Sequence, residues 1–289
     1  MAAKFAVIGG SKAYELLAKK AIKGTRLGER KTPFGNSQAV YLLSVDTVEF
    51  LFLSRHGEKG YEVTAPYVNY RANIYAIKDM GVDKIVAWSG PGAISKDFSV
   101  GDFVVVDDIV DETRGRADTF FKGGGIGFIR QNPVFCPCLR QSLIDVLDRL
   151  GLVFKDRGTY VCTQGPRLET PAEVRKFALY GGELVGMTLV PEVFLARELE
   201  MCYAALCYVS NYAEGIIDRP FRAGELFEGL SSEEDKRRTS QAVAEFPKII
   251  AELAVQENKI RVPCLCPDSM KRYKVDGRIG EDWRDWIET

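Results

Sequence analysis

Short apolar runs that stop at glycine or polar residues recur along this 289-residue chain, and they constrain its fold more than any other feature. Residues 5–8 stop at Gly9-Gly10-Ser11, and residues 48–54 stop at Arg55-His56-Gly57. Such runs have the length and composition of buried strands. Further strands are predicted over residues 84–88, 102–107 and 202–209 and from residue 161 onward, while helical spacing marks residues 69–80, 139–150, 172–179 and 191–199. This alternation predicts an α/β fold.

Polar side chains follow several of the predicted strands. The strand from residue 161 leads into residues 165–173, of sequence GPRLETPAE, and later segments end in Val185-Gly186-Met187-Thr188 and Val209-Ser210-Asn211-Tyr212. Open α/β folds bind their ligands beyond the carboxyl ends of the strands. The carboxylate of Glu169, the thioether of Met187, the hydroxyl of Thr188 and the carboxamide of Asn211 are therefore candidates for one shared site.

A single domain over residues 1–289 is the simplest organisation, because the sequence contains no repeat, linker or low-complexity tract. From about residue 231 the chain is expected to be helical and irregular. Ser231-Ser232-Glu233-Glu234 is typical of a capped helix start, and Pro247 is expected to break or kink that helix. A hydrophobic content of 46% is enough for a substantial core.

The charge balance argues against a polyanionic partner. The chain carries 39 basic and 40 acidic residues, so it has no field that would draw it onto nucleic acid or an anionic membrane. The first ten residues contain only a four-residue apolar run, and no stretch reaches the roughly 18 apolar residues of a membrane span. We expect a cytoplasmic protein with a small partner molecule.

Seven cysteines are many for a cytoplasmic protein of this length. They include the closely spaced pairs Cys136-Pro137-Cys138 and Cys264-Leu265-Cys266, but zinc sites usually have two or more residues between paired cysteines and need further ligands. The only histidine, His56, is far away in sequence. We therefore predict no metal, and favour free buried thiols over disulfides unless the source is a thermophile.

Together, the strand-end motifs resemble the purine nucleoside phosphorylase and methylthioadenosine phosphorylase family. The resemblance extends from about Ala6 to Tyr212 and rests on the glycine-serine loop at Ser11, on Arg55-His56-Gly57, on residues 165–173, and on the Met187-Thr188 and Asn211 segments. It implies a nucleoside phosphorylase-like fold with a central mixed sheet flanked by helices.

The resemblance also implies a phosphate site made by Ser11, Arg55, His56, Ser89 and Thr188. From the residues alone, Ser11 could belong to a tight turn and Thr188 could be an ordinary strand residue. The pair of Arg55 and His56 could lie on the surface. Arginine is nevertheless suited to bidentate contact with phosphate. The sequence departs from the family pattern at Lys12-Ala13 and at Pro91.

The nucleoside would be bound by Gly90, Leu168, Glu169, Met187 and Asn211, with the glutamate and the asparagine as the catalytic pair. Alternatively, Glu169 could begin a helix, Asn211 could lie in a turn and Met187 could belong to the core. In the family, enzymes for 6-oxopurines have a Glu and an Asn at these two places, whereas methylthioadenosine enzymes have a small residue and an Asp.

The implied reaction is phosphorolysis of a 6-oxopurine ribonucleoside such as inosine, guanosine or 5′-methylthioinosine, with phosphate as co-substrate and no other cofactor. One alternative is a methylthioadenosine phosphorylase, favoured by the segment over residues 107–113 and by the chain length. A second is a non-catalytic purine-binding or storage protein. The apolar residues Leu226, Phe227 and Leu230 favour a 5′-methylthio group on the substrate.

The resemblance also implies an assembly of subunits, because members of the family are trimers or hexamers. Residues 113–121, which end in Phe120-Phe121, resemble the segment that completes the active site of the neighbouring subunit in these assemblies.

Overall fold

A computed structural model describes residues 3, 5–18, 23–45, 48–218, 223–224, 232–259 and 264–287. For residues 11, 16–18, 258 and 259, only the backbone is described. In this part of the chain the helices are α1 (Ser11–Ala18), α2 (Tyr70–Asp79), α3 (Pro137–Arg149), α4 (Pro171–Leu179), α5 (Leu189–Glu198), α6 (Glu233–Ala244), α7 (Phe246–Lys259) and α8 (Lys271–Val275). No described helix is long and apolar enough to cross a membrane.

The larger of the two main sheets has eight strands in the order β11-β9-β14-β7-β1-β6-β5-β2. These strands are β1 (Ala6–Gly9), β2 (Lys23–Gly28), β5 (Val40–Val45), β6 (Val48–Ser54), β7 (Lys84–Ser89), β9 (Phe103–Val105), β11 (Phe154–Lys155) and β14 (Cys202–Tyr208). The central strands β6, β1, β7 and β14 are parallel, while β9, β5 and β2 add antiparallel pairs. The predicted mixed sheet is therefore confirmed.

A second sheet of five strands, in the order β10-β12-β13-β8-β15, was not expected. Its strands are β8 (Gly92–Ala93), β10 (Asp108–Glu112), β12 (Thr159–Thr163), β13 (Leu184–Gly186) and β15 (Asn211–Tyr212), and a separate hairpin joins β3 (Lys31–Thr32) to β4 (Gly35–Asn36). Two-residue strands give no recognisable periodicity in the sequence. They form because neighbouring strands supply their hydrogen-bond partners.

Alternating side chains of the large sheet divide the core into two layers, as the two-residue period of a strand requires. Ile85 and Ala87 pack on one face with α2 and α5, whereas Val86 and Trp88 pack on the other with α3 and α7. Trp88 meets the Phe246 ring of α7 edge-on, with 4.7 Å between centroids. Helices α6 and α7 thus belong to this second layer, whereas Tyr273 of α8 packs in the first.

Helix boundaries follow the local signals. The side chain of Asn69 caps α2 by accepting from the Ala72 amide, and Ser232 forms a capping box with Asp235 at the start of α6. The predicted break at Pro247 is confirmed, because α6 ends at Ala244 and α7 begins at Phe246. Proline fits the first turn of a helix, where its missing N–H has no intrahelical partner.

Candidate active site

A cavity of about 400 Å³ lies beyond the carboxyl ends of β1, β6, β7, β13 and β14. Nine of the ten predicted site residues line it: Arg55, His56, Ser89, Gly90, Leu168, Glu169, Met187, Thr188 and Asn211. The tenth, Ser11, begins α1, but its side chain lies outside the described residues; Gly10 and Lys12 beside it line the cavity. The fold thus gathers segments that are far apart in sequence around one space.

Three hydroxyl groups lie at one end of this cavity. Ser89 ends β7 and Thr188 precedes α5, and their oxygens are 3.5 Å apart in a buried position. Thr188 occupies the N-cap position but makes no side-chain capping bond, so its hydroxyl is not committed to the helix. The buried Tyr160 hydroxyl, which the sequence did not suggest, also lines the cavity and has no hydrogen-bond partner within the described residues. Burial raises the pKa of Tyr160 well above its ordinary value, so it remains a donor.

Arg55 is buried, and most N–H groups of its guanidinium donate hydrogen bonds to other groups of the protein. Its Nε and Nη2 atoms donate to the two carboxylate oxygens of Glu192 at 2.7 and 3.0 Å, and its remaining bonds go to the carbonyls of Trp88 and Ile8. Tyr203 donates to the same carboxylate at 2.8 Å. Burial opposes the charge of Arg55, but Glu192 more than compensates and raises the pKa of Arg55. A guanidinium has five N–H groups, so one on Nη1 remains for a ligand. The bidentate edge expected to bind phosphate is occupied by Glu192.

His56 lies beside this pair with one ring nitrogen fixed. Its Nδ1 is 2.8 Å from the carbonyl oxygen of Val63, which can only accept, so Nδ1 carries the proton. Burial and then the charge of Arg55 lower the pKa of His56 to about 4. The ring is therefore neutral near pH 7, and Nε2 presents a lone pair that a protonated ligand oxygen can approach.

Glu169 lies just before the first turn of α4. The capping box of that helix is made by Thr170 and Glu173, so the helix-start role that Glu169 could have had belongs to Glu173. Glu169 instead accepts a hydrogen bond of 2.5 Å from the hydroxyl of Thr163, the last residue of β12, and lines the cavity. Sequence reasoning missed Thr163, although its place at a strand end was a usable signal.

A glycine is required at the start of residues 165–173, where this turn contacts Met187. Gly165 has a φ of 63°, and a Cβ atom there would collide with the Met187 sulfur. The thioether can therefore lie against the turn that carries Glu169.

Asn211 is buried at the start of β15, and hydrogen bonds to both its oxygen and its nitrogen fix the orientation of its side-chain amide. Its Nδ2 donates to the Tyr212 carbonyl at 2.8 Å, and its Oδ1 lies 2.7 Å from the Ser210 hydroxyl, which can donate to it. A carboxamide nitrogen has two hydrogens, so one remains for a ligand. Ala213, which also lines the cavity, adds a methyl group beside it.

Arg116 holds the walls of this region together and was not singled out from the sequence. It donates to the carbonyls of Thr163 and Gln164 on one side and to those of Met187 and Val190 on the other, at 2.5–3.0 Å. It thereby links the end of β12 to the segment after β13. No short motif marks such a residue, because its partners are carbonyl groups of distant strands.

Phe120 and Phe121 end the segment that is predicted to reach the site of a neighbouring subunit. Both are buried in the core of their own chain, and Phe120 packs 5.2 Å from the ring of Phe34. The Phe120 amide also donates to the carboxylate of Glu198. The two rings thus pack within their own chain, and the contribution of residues 113–121 to a neighbouring subunit's site stays a prediction.

A comparison with protein families matches residues 4–254 to the phosphorylase superfamily. The chain belongs to this superfamily. Among its curated relatives is the 6-oxopurine nucleoside phosphorylase of Pyrococcus furiosus, 37% identical over 93% of this chain and 98% of the relative. A probable S-methyl-5′-thioinosine phosphorylase of Thermodesulfovibrio yellowstonii is 36% identical over 93% and 96%.

Solved structures of the superfamily have the same fold. A methylthioadenosine phosphorylase from an antarctic soil metagenomic library superimposes with a TM-score of 0.81, at 27% identity, covering 94% of this chain and 92% of the other. The superfamily match ends at residue 254, so the C-terminal segment with Cys264 and Cys266 lies beyond it. The names of these relatives include both 6-oxopurine and 6-aminopurine substrates. The choice between these two substrate classes for the present chain therefore depends on the residues of its own cavity.

Proposed function

We propose that this protein is a 6-oxopurine nucleoside phosphorylase, which converts a purine ribonucleoside and phosphate into free purine and ribose 1-phosphate or its 5-substituted analogue. The observation that carries the proposal is the placement of Glu169 and Asn211 in the same cavity as the hydroxyls of Ser89 and Thr188. One end of the cavity offers groups for a purine, and the other offers donors for phosphate.

The base preference follows from the hydrogen-bonding pattern of the purine ring. Hypoxanthine and guanine carry a proton on N1, which the carboxylate of Glu169 can accept, whereas adenine has a lone pair at N1. The remaining amide hydrogen of Asn211 can donate to N7 or O6. As negative charge builds on the departing base, this bond strengthens in the transition state, and such interactions raise the rate. Leu168, Met187 and Gly90 would contact the nucleoside.

Phosphate would be held chiefly by neutral donors. The hydroxyls of Ser89 and Thr188 and the last N–H of Arg55 support this role, and the family resemblance assigns the Ser11 hydroxyl to it. The neutral His56 can accept from a protonated phosphate oxygen. We add Tyr160, whose buried hydroxyl lacks a partner among the described residues. Phosphate is itself the nucleophile, so positioning and charge placement carry the catalysis, and its negative charge stabilises the oxocarbenium-like sugar.

Two other functions have less support. The family resemblance implies an Asp at the place of Asn211 in a methylthioadenosine phosphorylase, whereas this cavity presents the asparagine with the methyl group of Ala213 beside it. A purine-binding protein without catalysis would not need the cluster of hydroxyl groups at the phosphate end. The residues proposed for the 5′ wall, Leu226, Phe227 and Leu230, lie outside the described residues.

The proposal extends to the cellular and assembly context. We infer a cytoplasmic enzyme that uses phosphate as co-substrate without a metal or organic cofactor in the reaction, and that consists of one domain assembled as a homotrimer or a hexamer. Light scattering tests the assembly, because a mass near that of one 32.2 kDa chain would contradict it.

A substrate panel tests the function. Inosine, guanosine, 5′-methylthioinosine, adenosine and 5′-methylthioadenosine are assayed with and without phosphate, and we expect phosphate-dependent cleavage of the first three only. In Glu169→Gln, the preference for inosine over adenosine should fall by a factor of at least 10, because a carboxamide can turn its N–H₂ toward a bare N1. Glu173→Gln is the matched control, since glutamine also serves in a capping box. Efficient adenosine cleavage by the unmodified protein would contradict the proposal.

A further inference from the structure

Four of the seven cysteines meet at a point that does not belong to the active-site cavity. The sulfur atoms of Cys136, Cys202, Cys264 and Cys266 all lie within 4.8 Å of one another, and the sulfurs of Cys202 and Cys264 are 3.3 Å apart. None of the four residues lines the cavity. The fold combines the closely spaced pair Cys264 and Cys266 with two cysteines from elsewhere in the sequence, so the short spacing within each pair does not exclude a metal.

Three of these cysteines are held by regular structure. Cys202 is the first residue of β14 and donates its amide hydrogen to the Asp83 carbonyl at 2.8 Å. Cys136 occupies the N-cap position of α3, and its amide donates to the Tyr203 carbonyl at 2.8 Å. Cys266 begins a short 3₁₀ turn that is joined to α5, because Ser269 donates to the Arg197 carbonyl at 2.7 Å. The cluster is therefore set by the fold and not by one loop.

The arrangement matches a metal site better than a pair of disulfides. In a disulfide the two sulfurs are about 2.0 Å apart, and each sulfur has a single partner. Four thiolates around zinc lie about 2.3 Å from the metal, which places the sulfurs roughly 3.8 Å from one another. A group of four sulfurs that all lie within 4.8 Å of one another has the dimensions of such a tetrahedron.

The surroundings also favour thiolates. Cys136 occupies the N-cap position of α3, beside the free amide groups of the first helical turn. A helix N-terminus favours an anionic sulfur. The Nη1 atom of Arg197 lies 3.7 Å from the sulfur of Cys266, so a guanidinium can offset part of the charge of the cluster.

We propose that Cys136, Cys202, Cys264 and Cys266 form a structural zinc site. Binding would replace the protons of the four thiols by one Zn²⁺ ion, release those protons to solvent and leave a dianionic centre beside Arg197. With four protein ligands the tetrahedral site is closed, as in structural rather than catalytic zinc centres. Its position would fasten the segment from residue 264 onward to α3 and β14.

The test uses the full chain, purified anaerobically with a reductant and analysed for metal. We expect one zinc ion per chain, released in proportion as a mercurial reagent modifies the thiols. Replacement of zinc by Co²⁺ should give the intense visible absorption and the sulfur-to-metal charge-transfer bands of tetrahedral thiolate coordination. Cys266→Ser should lose most of the bound zinc, whereas Cys207→Ala should retain it, because Cys207 is a buried thiol of β14 outside the cluster.

The spectra of Co²⁺ added to the unmodified protein keep the test independent of how well the variants fold. The proposal is overturned if the reduced protein contains no stoichiometric zinc and gives no thiolate charge-transfer band with Co²⁺. It is also overturned if peptide mapping of protein purified without the reductant, with its thiols blocked at lysis, finds any two of these four cysteines joined by a disulfide.

Discussion

Replacing Glu192 by glutamine should destabilise this protein more than most single substitutions. Glu192 and Arg55 are both 1% exposed and share two hydrogen bonds at 2.7 and 3.0 Å, so each neutralises the other in the core. Removing one member of a buried ion pair typically costs about 3–5 kcal/mol, because the other charge stays buried. Glutamine keeps one carbonyl oxygen for the guanidinium, which favours the lower end of that range.

This loss should be visible in thermal unfolding. For chains of this size, 1 kcal/mol corresponds to roughly 2–4 °C in Tm, so the expected fall is roughly 6–20 °C. Asp79→Asn is the matched control: it removes one carboxylate from the exposed pair with Arg284, whose atoms are 2.8 Å apart, and should cost no more than about 1 kcal/mol.

Phosphate provides the second measurement. Arg55 lines the cavity, and without Glu192 its charge is uncompensated, so a bound anion should restore part of the lost stability. Ligand binding raises stability in proportion to the logarithm of ligand concentration over Kd. The phosphate-dependent rise in Tm should therefore be larger in Glu192→Gln than in the unmodified protein. A variant within about 1 kcal/mol of the unmodified protein, with an unchanged phosphate response, would refute this account of the pair.

Three further changes test other parts of the site and the core. Thr188→Val should lower kcat/KM for phosphate by roughly 10- to 150-fold, the loss of one hydrogen bond to a charged group, while Thr25→Val on an exposed strand should not. Asn211→Asp should shift preference toward adenosine-type substrates in a competition assay, because a donor near N7 and O6 becomes an acceptor; an unchanged ratio would place this side chain away from the base. Burial raises the pKa of Glu198 to about 7, so its stabilising contribution is complete below its unfolded pKa and declines as pH rises toward 7. Chemical denaturation of Glu198→Gln should show that this decline is lost relative to the unmodified protein, and parallel pH curves for the two proteins would contradict the assignment.

Much of the fold could be predicted from the sequence because its signals are local. The alternation of apolar runs and helical spacing predicted α2, α3, β6, β7 and β14, and the capped start and proline break of the C-terminal helices were also recognised. The motifs at the strand ends identified the superfamily, and the fold brings nine of the ten site candidates to one cavity. The individual roles of these residues in binding and catalysis stay predictions.

The tertiary structure decided which partners these residues have. Arg55 and Glu192 are 137 positions apart, so nothing local marks the arginine as already paired. Likewise the carbonyls bound by Arg116 and the four sulfurs of the cysteine cluster come from separate elements. A sequence determines which chemical groups are available along the chain and which local structures they favour. Which groups meet depends on strand order and packing, because contacts between distant segments exist only after the sheet has formed.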